Sequence, residues 1–136
     1  MSKILLAVSE RWVPDFRVDA IADFARRLGA SILVVHVIYG TEGGGAEVSP
    51  GEVVLKQVVA ALEAKQVKTE TLLLFSDDVA NATVKTAVEH NVTLLLLGLS
   101  SKGMLARLIE GNVAQEVIKQ TRVPVILIPP DWNGEI

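Results

Sequence analysis

The sequence predicts an α/β fold: an open, doubly wound sheet of five parallel strands with helices on both faces. Three observations lead there. Short apolar runs recur at Ile4–Val8, Ile32–Ile38, Thr71–Phe75, Thr93–Leu97 and Val125–Ile128. They are rich in Leu, Ile and Val and mostly lack polar alternation, the pattern of strands buried on both faces. Segments with helical spacing separate them, giving β-α-β-α-β-α-β-α-β, and this order implies right-handed crossovers into a parallel sheet. The 136 residues suit one domain spanning 1–136, long enough to bury a core.

Each element has its own signal. After the first run, Val18, Ile21, Ala22, Ala25 and Leu28 form a helical stripe, and Gly29 stands where a helix commonly ends. The second run leads into Tyr39-Gly40-Thr41-Glu42-Gly43-Gly44-Gly45-Ala46-Glu47, which reads either as a plain flexible connection or as a lid over a ligand. Leu55, Val58, Val59 and Leu62 mark the second helix, and Ala80, Val84, Ala87 and Val88 the third. Ser76 or Asp77 is the expected cap of that third helix, whose first turn favours negative charge, so Asp77-Asp78 reads as capping rather than as a catalytic pair. His90 closes it, at a helix end that suits a cation. Ala114, Val117, Ile118 and Thr121 give the fourth helix before the last run.

Composition narrows the function. With 13 basic and 16 acidic side chains and a formal charge of −3, the chain lacks the basic footprint of a duplex nucleic-acid binder. The absence of cysteine removes disulfides, thiolate metal sites and cysteine nucleophiles. No apolar run approaches the roughly 20 residues that span a bilayer, and the apolar start is too short for a signal peptide, so a cytoplasmic protein without a membrane partner is expected. His36 and His90 stand far apart without an H-E-x-x-H pattern, so no metal site is expected, and His36 reads as a core histidine with a satisfied hydrogen bond.

In doubly wound sheets ligands bind beyond the carboxyl ends of the strands, at the switch in strand order. The first strand is followed by Ser9-Glu10-Arg11-Trp12-Val13-Pro14, which has no G-x-G-x-x-G, and a Walker loop is missing as well. A phosphoacceptor receiver fails too: Ser76 stands where its aspartate would end the third strand, and Pro129 follows the last. What remains is Leu94-Leu95-Leu96-Leu97-Gly98, the loop Leu99-Ser100-Ser101-Lys102-Gly103, Met104 to Glu110, and Gly111-Asn112-Val113-Ala114 opening a helix. Glycine at a strand end leaves a bare backbone that a ligand can approach. A helix start offers N–H groups without intrahelical partners, which attract anions.

This stretch resembles the universal stress protein family, whose nucleotide binders carry G-x2-G-x9-G-[ST] here. The spacing is kept as Gly98, two residues, Ser101, nine residues, Gly111. Val34-Val35-His36-Val37-Ile38, Asp77 opening the third helix and the closing Val123-Pro124-Val125 extend the resemblance over nearly the whole chain. It implies an adenine nucleotide alpha hydrolase-like sheet and binding of ATP, with Mg, or of a related adenine nucleotide. Val37 would then lie against adenine and Ser9 near the ribose or base. Backbone N–H groups of Gly98, Ser101, Gly111 and Asn112 would face the phosphates, with Val113 in the same turn. Lys102 and Arg107 would pair with phosphates or remain solvated, and Gly103 would re-form the turn in a shifted register.

Three positions depart from the family pattern: Ser9 replaces a strand-ending aspartate, Ser101 the second glycine, and Asn112 the final Ser or Thr. Asn caps a helix about as well as Ser, so the last change is mild. A serine forced to φ > 0 costs about 1–2 kcal/mol, and a lost charged hydrogen bond about 1.5–3 kcal/mol. The resemblance therefore implies a dimeric regulator that couples nucleotide state to stress, or else a nucleotide-free dimeric interaction module. Ser100 and Ser101 have no base nearby in sequence, so catalysis beyond slow ATP hydrolysis is not expected. The family's strand order puts Val125, Ile126, Leu127 and Ile128 at an edge and implies a homodimer through them.

Overall fold

The structure, a computed structural model, describes residues 2–8, 16–39, 50–98 and 112–128. In chain order the elements are β1 (Lys3–Ala7), α1 (Phe16–Leu28), β2 (Ser31–Tyr39), α2 (Pro50–Ala64), β3 (Thr69–Ser76), α3 (Val79–Glu89), β4 (Leu94–Gly98), α4 (Asn112–Gln120) and β5 (Val125–Ile128). The five strands form one sheet in the order β3-β2-β1-β4-β5, and each neighbouring pair is parallel. The chain moves from β1 outward to β3, then crosses back to β4 on the other side of β1. Right-handed crossovers therefore put α1 and α2 on one face and α3 and α4 on the other.

Alternation along the strands builds two separate cores. Ile4, Leu6, Ile32, Val34 and Leu96 join Val18, Ile21, Ala22 and Ala25 of α1 and Val58 and Leu62 of α2. Leu5, Leu33, Val35, Leu95 and Leu97 turn the other way, onto Ala80 and Ala87 of α3 and Val117 of α4. The central strands are apolar at successive positions because both faces are covered, as the parallel-sheet reading requires.

Three positions of the expected helical stripes face solvent instead. Leu28 is 46% exposed, Val88 62% and Ile118 48%. Leu28 is the last residue of α1. In α3 the buried set is Ala80, Thr83, Thr86 and Ala87, which rotates Val88 outward. Thr83 settles into this apolar face because its hydroxyl donates to the Val79 carbonyl at 2.8 Å. In α4, Val117 is the buried residue and its neighbour Ile118 points away. The cap of α3 also differs from expectation. Asp78, rather than Ser76 or Asp77, accepts from the Asn81 N–H at 3.0 Å, while the Ser76 hydroxyl accepts from the Asp78 N–H at 3.0 Å.

Three helices end in the same way. Gly29, Gln66 and Asn91 have φ of 62°, 64° and 57°. Each is followed by a residue whose N–H reaches back five positions: Ala30 to Ala25, Val67 to Leu62, and Val92 to Ala87. These are Schellman turns, in which a left-handed residue lets the chain leave the helix toward the next strand. Only the first uses glycine, and a Cβ at Gly29 would meet nothing within 4 Å. Gly29→Ala should thus cost about 1 kcal/mol through φ alone, and Gln66→Gly should gain about 0.5–1 kcal/mol. Urea denaturation of the two variants checks both signs.

Candidate functional site

Parallel strands all point their carboxyl ends the same way, and the strand order reverses between β1 and β4, the switch point at which such sheets bind ligands. Here Ala7 of β1 lies beside Leu97 of β4, and Gly98, which ends β4, pairs with Ile128 of β5. The helix α4 runs back against the strands, so its amino end at Asn112 sits at this same end of the sheet. Glycine at the strand terminus and a helix start thus come to the same end of the sheet beside the switch point, where N–H groups lacking helical partners favour an anion.

On the other side of β1 lies β2. Val37 is half-buried on the face of α3 and α4, with Leu74 of β3 as its register partner. One residue earlier, His36 turns to the opposite face and is 8% exposed. Its Nδ1 lies 3.0 Å from the carbonyl of Val8, whose own N–H donates to Val35 at 2.9 Å. A buried imidazole thereby fastens the outgoing end of the first strand to the second. As the sequence suggested, this is a core histidine with its hydrogen bond made.

Of the residues singled out from sequence, the structure brings Gly98, Asn112 and Val113 to the carboxyl end of the sheet, with Val37 one strand beyond β1. Ser9, Ser101, Lys102, Gly103 and Gly111, and with them Arg107, lie outside the described residues. The sequence reading passed over Arg17, which is 7% exposed in the first turn of α1 and is engaged in an interaction. No spacing rule marks it, because a lone arginine at a helix start reads as surface charge. Arg26 and Arg27 in the last turn of α1 and Lys119 in that of α4 sit at the far end of the sheet. There they complement helix carboxyl ends. Among the described residues no group of three His, Asp or Glu is placed to hold a metal ion, and no helix is long and apolar enough to cross a membrane.

The sequence matches the universal stress protein family over residues 1–129. The chain belongs to that family. No curated protein matches it. Solved universal stress proteins share its architecture. One from Archaeoglobus fulgidus is 26% identical, with a TM-score of 0.73 over 94% of this chain and 93% of that one. A universal stress protein from the same organism, in complex with dAMP, is 24% identical with a TM-score of 0.68 over 94% and 98%. A universal stress protein family protein from Arabidopsis thaliana with AMP bound is 16% identical, with a TM-score of 0.64 over 96% and 93%. The five-stranded parallel order found here is therefore the universal stress protein sheet, with its switch point between β1 and β4.

Proposed function

We propose that this universal stress protein is a cytoplasmic, dimeric regulator that binds ATP or a related adenine nucleotide and couples its nucleotide state to a stress response. The observation that carries the reading is the switch in strand order between β1 and β4, with Gly98 ending β4 and the amino end of α4 at the same end of the sheet. Relatives of the same architecture were solved with dAMP and with AMP. In this reading Val37 rests against adenine and Ser9 near the ribose or base. The N–H groups of Gly98, Ser101, Gly111 and Asn112 hold the phosphates, with Lys102, Gly103 and Val113 lining the turn. Magnesium arrives on the phosphates, as it commonly does.

The test is the melting temperature with millimolar ATP, AMP or GTP, each with and without magnesium. A ligand at about 100 times its dissociation constant adds about 2.7 kcal/mol, which raises the midpoint of a domain this size by several degrees. A rise with the adenine nucleotides alone is the expected result. No rise with any nucleotide favours the second reading, a nucleotide-free dimeric interaction module, which rests on Ser9 and Ser101.

Both readings use β5 as the dimer strand. It lies at one edge of the sheet, and Ile126 is 38% exposed. An apolar edge with open backbone groups invites a second strand. Ile126→Lys should therefore yield monomers at low micromolar concentration, and sedimentation showing an unchanged dimer counts against this interface.

A further inference from the structure

The opposite edge of the sheet is β3, and it is the longer of the two, with 8 residues against 4 in β5. Edge strands are commonly blunted by charge, proline or a bulge. The outer strand here is Thr69-Glu70-Thr71-Leu72-Leu73-Leu74-Phe75-Ser76, and its single charge does not guard the edge. Glu70 reaches inward across β2, where its carboxylate lies 3.6 Å from Lys3 Nζ. The run Leu72 to Phe75 is apolar, and Phe75 is 40% exposed in the isolated chain.

Beside this strand runs an open groove of about 470 Å³, walled by Leu55, Val59 and Ala60 of α2 and by Thr71, with Lys56 and Glu63 among its polar residues. Leu73 packs on the α1 and α2 side of the sheet, whereas Leu72 and Leu74 pack on the other. By alternation Thr71 and Phe75 share the face of Leu73.

We propose that β3 is a second self-association surface, pairing antiparallel with β3 of another copy about a two-fold axis at Leu73. That register sets Leu73 on Leu73, Leu72 on Leu74 and Thr71 on Phe75. Each exposed Phe75 then meets the partner's Thr71 and enters the groove that Thr71 lines, and the two-fold axis makes the insertion reciprocal. Glu70 falls opposite Ser76, so no like charges meet. Just beyond the strand ends, the exposed Lys68 falls opposite the exposed Asp78, a complementary pair made twice. Moving the axis to Leu72 sets Glu70 against Leu74, and moving it to Leu74 takes Phe75 away from Thr71. The surface is one strand and one aromatic ring per copy, below the size of a standard interface, so it fills at high protein concentration. It does not depend on nucleotide binding or on β5.

The chain has no cysteine, so one introduced thiol reports the register directly. The protein is used with Ile126→Lys, which removes the β5 contact, at several hundred micromolar. Leu73→Cys should oxidise to a covalent dimer, because directly paired strand residues fall within disulfide reach. Glu70→Cys should remain monomeric, since in this register its two copies stand about 20 Å apart. Phe75→Asp should abolish the concentration-dependent rise in mass seen by light scattering while keeping a cooperative melt. If Leu73→Cys disturbs folding, Thr71→Cys combined with Phe75→Cys forms the same link through the neighbouring pair. Equal cross-linking at 70 and 73, or none at 73 and none between 71 and 75, overturns the proposal. So does an unchanged mass in Phe75→Asp.

Discussion

Leu95→Ala and Leu96→Ala should each destabilise the domain by about 3 kcal/mol, a fall of about 10 °C in melting temperature. The two residues are adjacent in β4 and at most 1% exposed, yet they belong to different cores. Leu96 packs toward α1 and α2 and Leu95 toward α3 and α4, so neither cavity borders the other. Sites without shared partners add to within about 0.5 kcal/mol. The double variant should therefore lose close to the sum, about 6 kcal/mol, which is most of what a domain of ordinary stability possesses. Urea denaturation of the singles and the double measures this. A loss well short of the sum would mean that the two faces relax together through the strand.

His36→Leu should cost about 2 kcal/mol and should also reduce the melting shift produced by adenine nucleotide. The stability loss follows from the buried carbonyl of Val8, which lies 3.0 Å from His36 Nδ1 and would be left without that partner. Leucine fills similar space without a polar atom, so lost packing is a minor part of the change. The binding effect follows from position. Val8 is the residue before Ser9, and the imidazole fixes where the first strand hands over to its loop. Gln and Asn at 36 retain a polar group and should fall between leucine and the parent. A protein destabilised by about 2 kcal/mol but with an undiminished nucleotide shift would reduce His36 to a structural role.

Much of this architecture was legible in the residues. The apolar runs located all five strands, β5 to the residue, because unbroken Leu, Ile and Val stand out from the polar segments between them. The signal was poorest in β3, which begins two residues early at Thr69 and Glu70, polar positions that a run of Leu cannot announce. Helix ends divided by chemistry. Gly29 showed in the sequence, but Gln66 and Asn91 take the same left-handed conformation because the Schellman hydrogen bonds impose it. Asp78 displaced Ser76 and Asp77 as a cap because all three are competent and only the turn geometry selects among them. For the site, spacing located the end of β4 at Gly98 and the helix start near Asn112. The buried Arg17 had no signature, since burial of a charge is decided by the packing around it.

The place of β1 in the sheet has a bearing on how the chain comes into being. One neighbour, β2, follows it closely, but the other, β4, pairs through residues about 90 positions on, and the Lys3 N–H donates to Thr93 Oγ1 across that separation. During synthesis the segment through β3 can assemble with α1 and α2 covering one side. Leu5, Leu33 and Val35 on the other side wait for α3, β4 and α4. At about 5–20 residues per second that interval lasts several seconds. For that time the nascent protein shows a bare apolar sheet face, and it is then that a chaperone has most to hold.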